Sequence, residues 1–157
     1  MKTGAGIFPT IFWLIKQNQP DAKTGAIYRW SDFGRLFEKS AADVDMTFDS
    51  EEATIGDAVK YIQEDQPTFL FVHLDYVDGA DHKYGHSTRE YYASMPKADQ
   101  LIGEVVDALV SSGIMEKTLI IISADHGVIG TSHGGENLEE VEIPIILFGA
   151  EIKGALS

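Results

Sequence analysis

The sequence predicts an α/β fold, a mostly parallel sheet flanked by helices, and three observations carry that prediction. The runs "TFLFVHLD", "TLIIISAD" and "IPIILFGA" are nearly continuous in apolar residues over the length of a strand, the pattern of strands covered on both faces. Amphipathic helical stretches alternate with such runs, which argues for crossover connections and parallel pairing. The chain has 157 residues, 44% of them apolar and 24% charged, enough for one domain with a real core.

In chain order, Thr10 stands before "IFWLIKQ" as an amino-terminal cap, and Pro20 closes that short helix. "GAIYRW" is a short β-rich run ending near Ser31. The segment "DSEEATIGDAVKYIQED" opens on Asp49 and Ser50 as capping candidates, has acids in its first turn, and sets Ile55, Ala58, Val59 and Ile62 on one face. A long helix runs from about Thr88 to Gly113, with Tyr91, Ala98, Leu101, Ile102, Val105, Leu109 and Val110 at helical spacings; Pro96 is expected to kink or divide it. No stretch is rich enough in proline or glycine to act as a linker.

Charge narrows the partners. Twenty-five acidic residues against 12 basic ones give a formal net charge of −13, which repels a nucleic-acid backbone, and no basic run offsets it. Binding to a nucleic-acid duplex is therefore not expected. There is no cysteine, so any metal would be held by oxygen and imidazole nitrogen. The apolar runs are far short of a membrane span, and nothing after Met1 has the pattern of a signal peptide.

The chemistry concentrates in three places. "DYVDGADHKYGHST" packs Asp75, Asp78, Asp81, His82 and His86 together; "SADHG" brings Asp125 and His126; "GTSHGGEN" brings His133. Two of these clusters follow buried-strand patterns directly, and ligands of open α/β sheets gather at the carboxyl ends of strands. Aspartate with histidine suits a divalent ion such as zinc, manganese or iron. Taken singly, His86 or His133 is explained as a turn or loop residue, whereas a turn after "SAD" explains Gly127 and gives no reason for the imidazole of His126.

The order of "DGADHKYG", "SADHG" and "SHGG" resembles the carboxyl-terminal half of the alkaline phosphatase superfamily, above all its type I phosphodiesterase/nucleotide pyrophosphatase branch, over about Pro9 to Gly149. Sulfatases and cofactor-independent phosphoglycerate mutases are more distant relatives. The resemblance implies two divalent ions, zinc first with manganese or calcium as alternatives. One would be held by Asp78, His82 and His133, the other by Asp125 and His126. It implies hydrolysis of a small-molecule phosphodiester or phosphomonoester, in a family often exported from the cell.

The first cluster admits two registers. Asp78 with His82 keeps the family's four-residue separation and puts Gly85 at the closing glycine, with Asp81 standing where the family has glycine. Asp81 with His86 keeps the Gly-His dipeptide but lengthens the separation to five and leaves Arg89 where a glycine is expected. Spacing decides whether two side chains reach one metal, which favours Asp78 and His82.

The family's Thr or Ser nucleophile and a further Asp ligand have no counterpart before Asp75. Thr10 follows a proline, but no aspartate at a strand end precedes it. "GIFPTIFWLIKQNQPDAKTGAIYRWSDFGRL" resembles the segment after the nucleophile. Residues 1–157 are thus expected to be the carboxyl-terminal portion of a single metallohydrolase domain, lacking the amino-terminal strands, binding metal with little turnover. An exposed sheet edge would then invite self-association. The rival readings are a sulfatase-like ester hydrolase, a non-catalytic metal-binding or interaction remnant, and a plain α/β domain whose Asp and His residues only make turns.

Overall fold

The computed structural model describes residues 8–150; Met1 and the residues Gly6 and Ile7 of the opening segment lie outside the described residues. The chain forms two compact units that meet in sequence between Asp75 and Tyr76.

The first unit is a three-stranded parallel sheet in the order β2-β1-β3, made of β1 (Thr24–Tyr28), β2 (Val44–Thr47) and β3 (Phe69–His73). In the centre, β1 is buried along its whole length. Its alternation assigns each residue a face. Ala26 and Tyr28 join Phe12, Phe37 and Ala41 in an aromatic-rich cluster, with Phe33, Phe69 and Phe71 packed against it. Phe12 comes from helix α1 (Ile11–Asn18). Ile27 turns the other way, onto Ala58 and Tyr61 of helix α2 (Glu51–Asp65). Burying a side chain like that of Ile27 is worth roughly 1.5–3 kcal/mol.

Helix α2 has the expected start, for the Ser50 hydroxyl accepts from Ala53 N at 3.1 Å. Its buried stripe is Thr54, Ile55, Ala58, Tyr61 and Ile62. Burial pushes the Tyr61 hydroxyl up to about 12, helped by the charges of Asp43 and Asp65. Gly25 is needed where it stands, because a Cβ there would come within 2.6 Å of the Tyr61 ring. Thr10 occupies the cap position of α1 without capping it, since its hydroxyl donates to the Glu38 carboxylate instead.

The second unit contains α3 (Tyr76–Tyr84), α4 (Arg89–Ser111), β4 (Leu119–Ser123), α5 (Leu138–Val141) and β5 (Ile145–Gly149). The sequence spacing predicts no helix over 76–84, yet α3 forms across Gly79 and ends where Gly85 turns to φ +90°. Helix α4 starts on Thr88, whose hydroxyl accepts from Tyr91 N at 3.2 Å. It runs unbroken through Pro96 rather than dividing there.

β4 and β5 depart from the buried-strand expectation. They pair antiparallel, from Leu119 opposite Gly149 to Ser123 opposite Ile145. The Ser123 hydroxyl donates to Pro144 O at 2.9 Å, which pins the start of β5 beside the end of β4 and sets that direction. Leu119, Ile121, Ile145 and Leu147 share one face of this ribbon and are exposed, Ile121 to 61%. No described helix is long and apolar enough to cross a membrane.

Candidate metal centre

Four of the five predicted ligands gather in the second unit around one carboxylate. Helix α3 carries Asp78 and His82 one turn apart, which places both side chains on one face. Asp78 Oδ2 lies 3.5 Å from His82 Nε2. The loop after β4 brings the rest, with His126 Nε2 4.0 Å and His133 Nε2 3.9 Å from Asp78 Oδ1. The Nε2 atoms of His82 and His133 are 3.1 Å apart, and the rings of His126 and His133 stack at 3.8 Å. Ligand atoms of Asp78, His82 and His133 all fall within 4.8 Å of one another.

These donors fit a small divalent ion. Tetrahedral zinc with bonds of about 2.0–2.1 Å holds its donors ~3.3–3.4 Å apart. The 3.1 Å between the two imidazole nitrogens and the 3.5 Å from His82 to Asp78 Oδ2 lie near that value, while His133 lies 3.9 Å from the other Asp78 oxygen. His126 Nδ1 lies 2.9 Å from Gly127 O. A carbonyl only accepts, so Nδ1 carries the hydrogen and a neutral His126 presents a lone pair at Nε2. That lone pair faces Asp78 and, at 3.7 Å, Asp125 Oδ1. Lone pairs turned toward carboxylates are unfavourable unless a cation or proton lies between them. Asp125 stands apart from the cluster, 71% exposed, with His126 as its ion-pair contact among the described residues.

The loop that presents the two histidines is built by local hydrogen bonds. Ile129 and Ser132 exchange backbone bonds of 2.9 and 3.1 Å around Gly130, whose φ is +65°, and His133 follows directly. Beyond it, the buried Glu140 carboxylate accepts from Asn137 Nδ2 at 2.7 Å and Gly135 N at 2.9 Å. Those two bonds, the Asn137 amide first, hold its carboxyl below the ordinary glutamate value. Glu140 was not among the residues the sequence singled out; Asn137, at the amino-terminal cap position of α5, makes no side-chain cap bond and instead gives its amide to the Glu140 carboxylate. Gly127 donates to Glu140 O at 2.9 Å, and a Cβ on Gly127 would lie 1.9 Å from Glu139 O. The glycine of "SADHG" is thus required by a close backbone approach.

Asp75 and Asp81 take no part. Asp75 belongs to the first unit, where its backbone N donates to Glu51 at 3.3 Å. Asp81 is 2% exposed, and its one ion-pair contact among the described residues is His86 Nδ1, at 3.6 Å.

A mixed α/β fold with a parallel three-stranded sheet flanked by helices is the fold of the alkaline phosphatase superfamily, and the family match places the chain there. Within it, the chain belongs to the type I phosphodiesterase/nucleotide pyrophosphatase family, whose model matches residues 9–143. Phosphopentomutase of Alkaliphilus metalliredigens is 30% identical over 105 residues, 66% of this chain and 25% of that protein. Human bis(5'-adenosyl)-triphosphatase is 25% identical over 122 residues, 74% of this chain and 27% of the relative. The fold is similar to that of murine ectonucleotide pyrophosphatase/phosphodiesterase 5, with a TM-score of 0.60 at 17% identity over 75% of this chain and 32% of the other. The chain therefore spans about a quarter to a third of the length of these relatives.

Proposed function

We propose that the chain holds divalent metal, zinc first, for hydrolysis of phosphoric esters, with nucleotide-type phosphodiesters as the substrate class. Asp78, His82 and His133 hold one ion, and Asp125 with His126 contributes to a second. The observation that carries this reading is the convergence of one ligand atom each from Asp78, His82 and His133 within 4.8 Å. Ions bound there would supply Lewis acidity to phosphoryl oxygens and stabilise the attacking and leaving oxygens of a displacement. The chain's own part is orientation. The Gly127 carbonyl fixes the His126 tautomer, and the hairpin at Gly130 delivers His133. Membership of the family supports phosphoric esters, and the names of the pyrophosphatase and triphosphatase relatives support the nucleotide class.

The attacking hydroxyl is not assigned to this chain, for Thr10 commits its hydroxyl to Glu38. Zinc content is measured by mass spectrometry for the wild type, H82A and D125A, with turnover of a nitrophenyl phosphodiester and of nitrophenyl sulfate. Two ions in the wild type, one lost in each variant, and little turnover of either ester are expected. A folded wild type without zinc defeats the reading, and sulfate turnover above phosphodiester turnover moves it to a sulfatase.

A further inference from the structure

Asp81 sits on the same helical turn as two candidate ligands, and its side chain takes part neither in the fold's hydrogen bonds nor in the cluster. Its side chain is 2% exposed, and neither carboxylate oxygen has a hydrogen-bond partner among the described residues. The imidazole beside it is that of His86, whose Nδ1 lies 3.6 Å from Asp81 Oδ1 and whose ring packs at 4.7 Å on the Tyr91 ring.

What this holds is visible in the backbone of the same residue. His86 N donates to Gly130 O at 2.7 Å, at the tip of the hairpin that precedes His133. Gly85 and Ser87, on either side, have φ of +90° and +63°, so the chain between α3 and α4 is sharply turned there. The neighbouring Thr88 hydroxyl donates to Gly85 O at 2.8 Å. A short, bent segment with one hydrogen bond to the hairpin needs its side chain anchored to keep that bond in place.

We propose that Asp81 and His86 are a positioning pair: the carboxylate holds the His86 imidazole, and the His86 backbone thereby seats the Gly130 hairpin so that His133 reaches Asp78 and His82. The consequence for metal rests on the proposed function; the seating of the hairpin does not. Neither residue would touch the ion.

The test uses the whole chain as wild type, D81L, H86L and H86N. Amide hydrogen exchange of His86, Ile129 and Ser132 is followed without metal, beside thermal unfolding and zinc titration. D81L removes a buried charge at similar volume, so the unfolding midpoint is expected to hold or rise. Exchange at the three amides is expected to speed up about tenfold or more in D81L and H86L, while Leu101 to Leu109 of α4 stay protected. Zinc affinity should fall by about 10- to 100-fold. H86N, whose amide nitrogen can stand where Nδ1 stands, should recover most of both.

A purely structural role would lower the midpoint and leave the local exchange tied to it. Unchanged exchange in D81L and H86L overturns the proposal, as does fast exchange with wild-type zinc affinity. If D81L loses protection along all of α4, H86L against H86N decides. A wild type that takes up no zinc sinks the metal reading, while the exchange rates still decide whether the pair seats the hairpin.

Discussion

Replacing Gly127 by alanine tests whether the Asp-His-Gly turn is shaped by close approach. The added Cβ would stand 1.9 Å from Glu139 O and 3.0 Å from Glu142 O. To reach ordinary contact the two backbones must separate by about 1.5 Å. Such a shift breaks the 2.9 Å bond from Gly127 N to Glu140 O. Overpacking costs roughly 1–3 kcal/mol and the lost bond about 1, giving ~2–4 kcal/mol in all. It also moves His126, which is adjacent, by more than the ~0.2 Å tolerance of a metal ligand. Urea unfolding reads the stability, and zinc titration reads the site. A G127A chain with the wild-type midpoint and affinity would refute the reasoning, since backbone cannot yield 1.5 Å at no cost.

The same logic applies at Gly25, where a Cβ would meet the Tyr61 ring at 2.6 Å and Leu70 at 3.1 Å. G25A should cost about 1–3 kcal/mol in denaturant unfolding, and an unchanged midpoint would show that Tyr61 can move aside. Glu140 gives a pH dependence of known sign. Its folded pKa lies below the ordinary 4.5, so its stabilisation is complete above that value and is lost as pH falls through the lowered one. Thermal midpoints of wild type and E140Q should therefore differ at neutral pH and converge as pH falls below the lowered Glu140 pKa; a constant gap would assign the effect to packing.

How much was legible follows from which signals are local. The start of α2 was, because a serine cap and a stripe of apolar residues are written within one segment, and Ser50 makes the bond its position promises. The choice of Asp78 with His82 came from the four-residue separation of the family pattern, and on α3 that separation is one helical turn. The helix itself was not legible: Gly79 and two aspartates mask it, and α3 is held by packing against α4 in a way no window of its own sequence contains. The exposure of Ile121 and Ile145 was hidden too, since an apolar run states what a strand could bury without stating which layer covers it. Thr10 reads as a cap from its position, but the longer-range carboxylate of Glu38 wins its hydroxyl.

Both pairings weighed for "DGADHKYGH" are contacts in the structure, Asp78 with His82 at 3.5 Å and Asp81 with His86 at 3.6 Å. Asp78 and Asp81 are three apart on α3, a spacing at which like charges repel along a helix. The repulsion is met by dividing the imidazoles between them. Asp78, partly exposed, has His82, His126 and His133 within 4.0 Å; Asp81, buried, has His86 at 3.6 Å. An aspartate in place of glycine at 81 needs no special backbone, because the residue lies inside a helix and its φ is not positive. The His86 imidazole is the group beside it, at 3.6 Å, so an Asp at 81 is expected to be tolerated better with a His at 86 than without one. A chain carrying D81G with H86A should therefore lose less stability than the two single changes added, and strict additivity in that cycle would show that the two residues do not act as a pair.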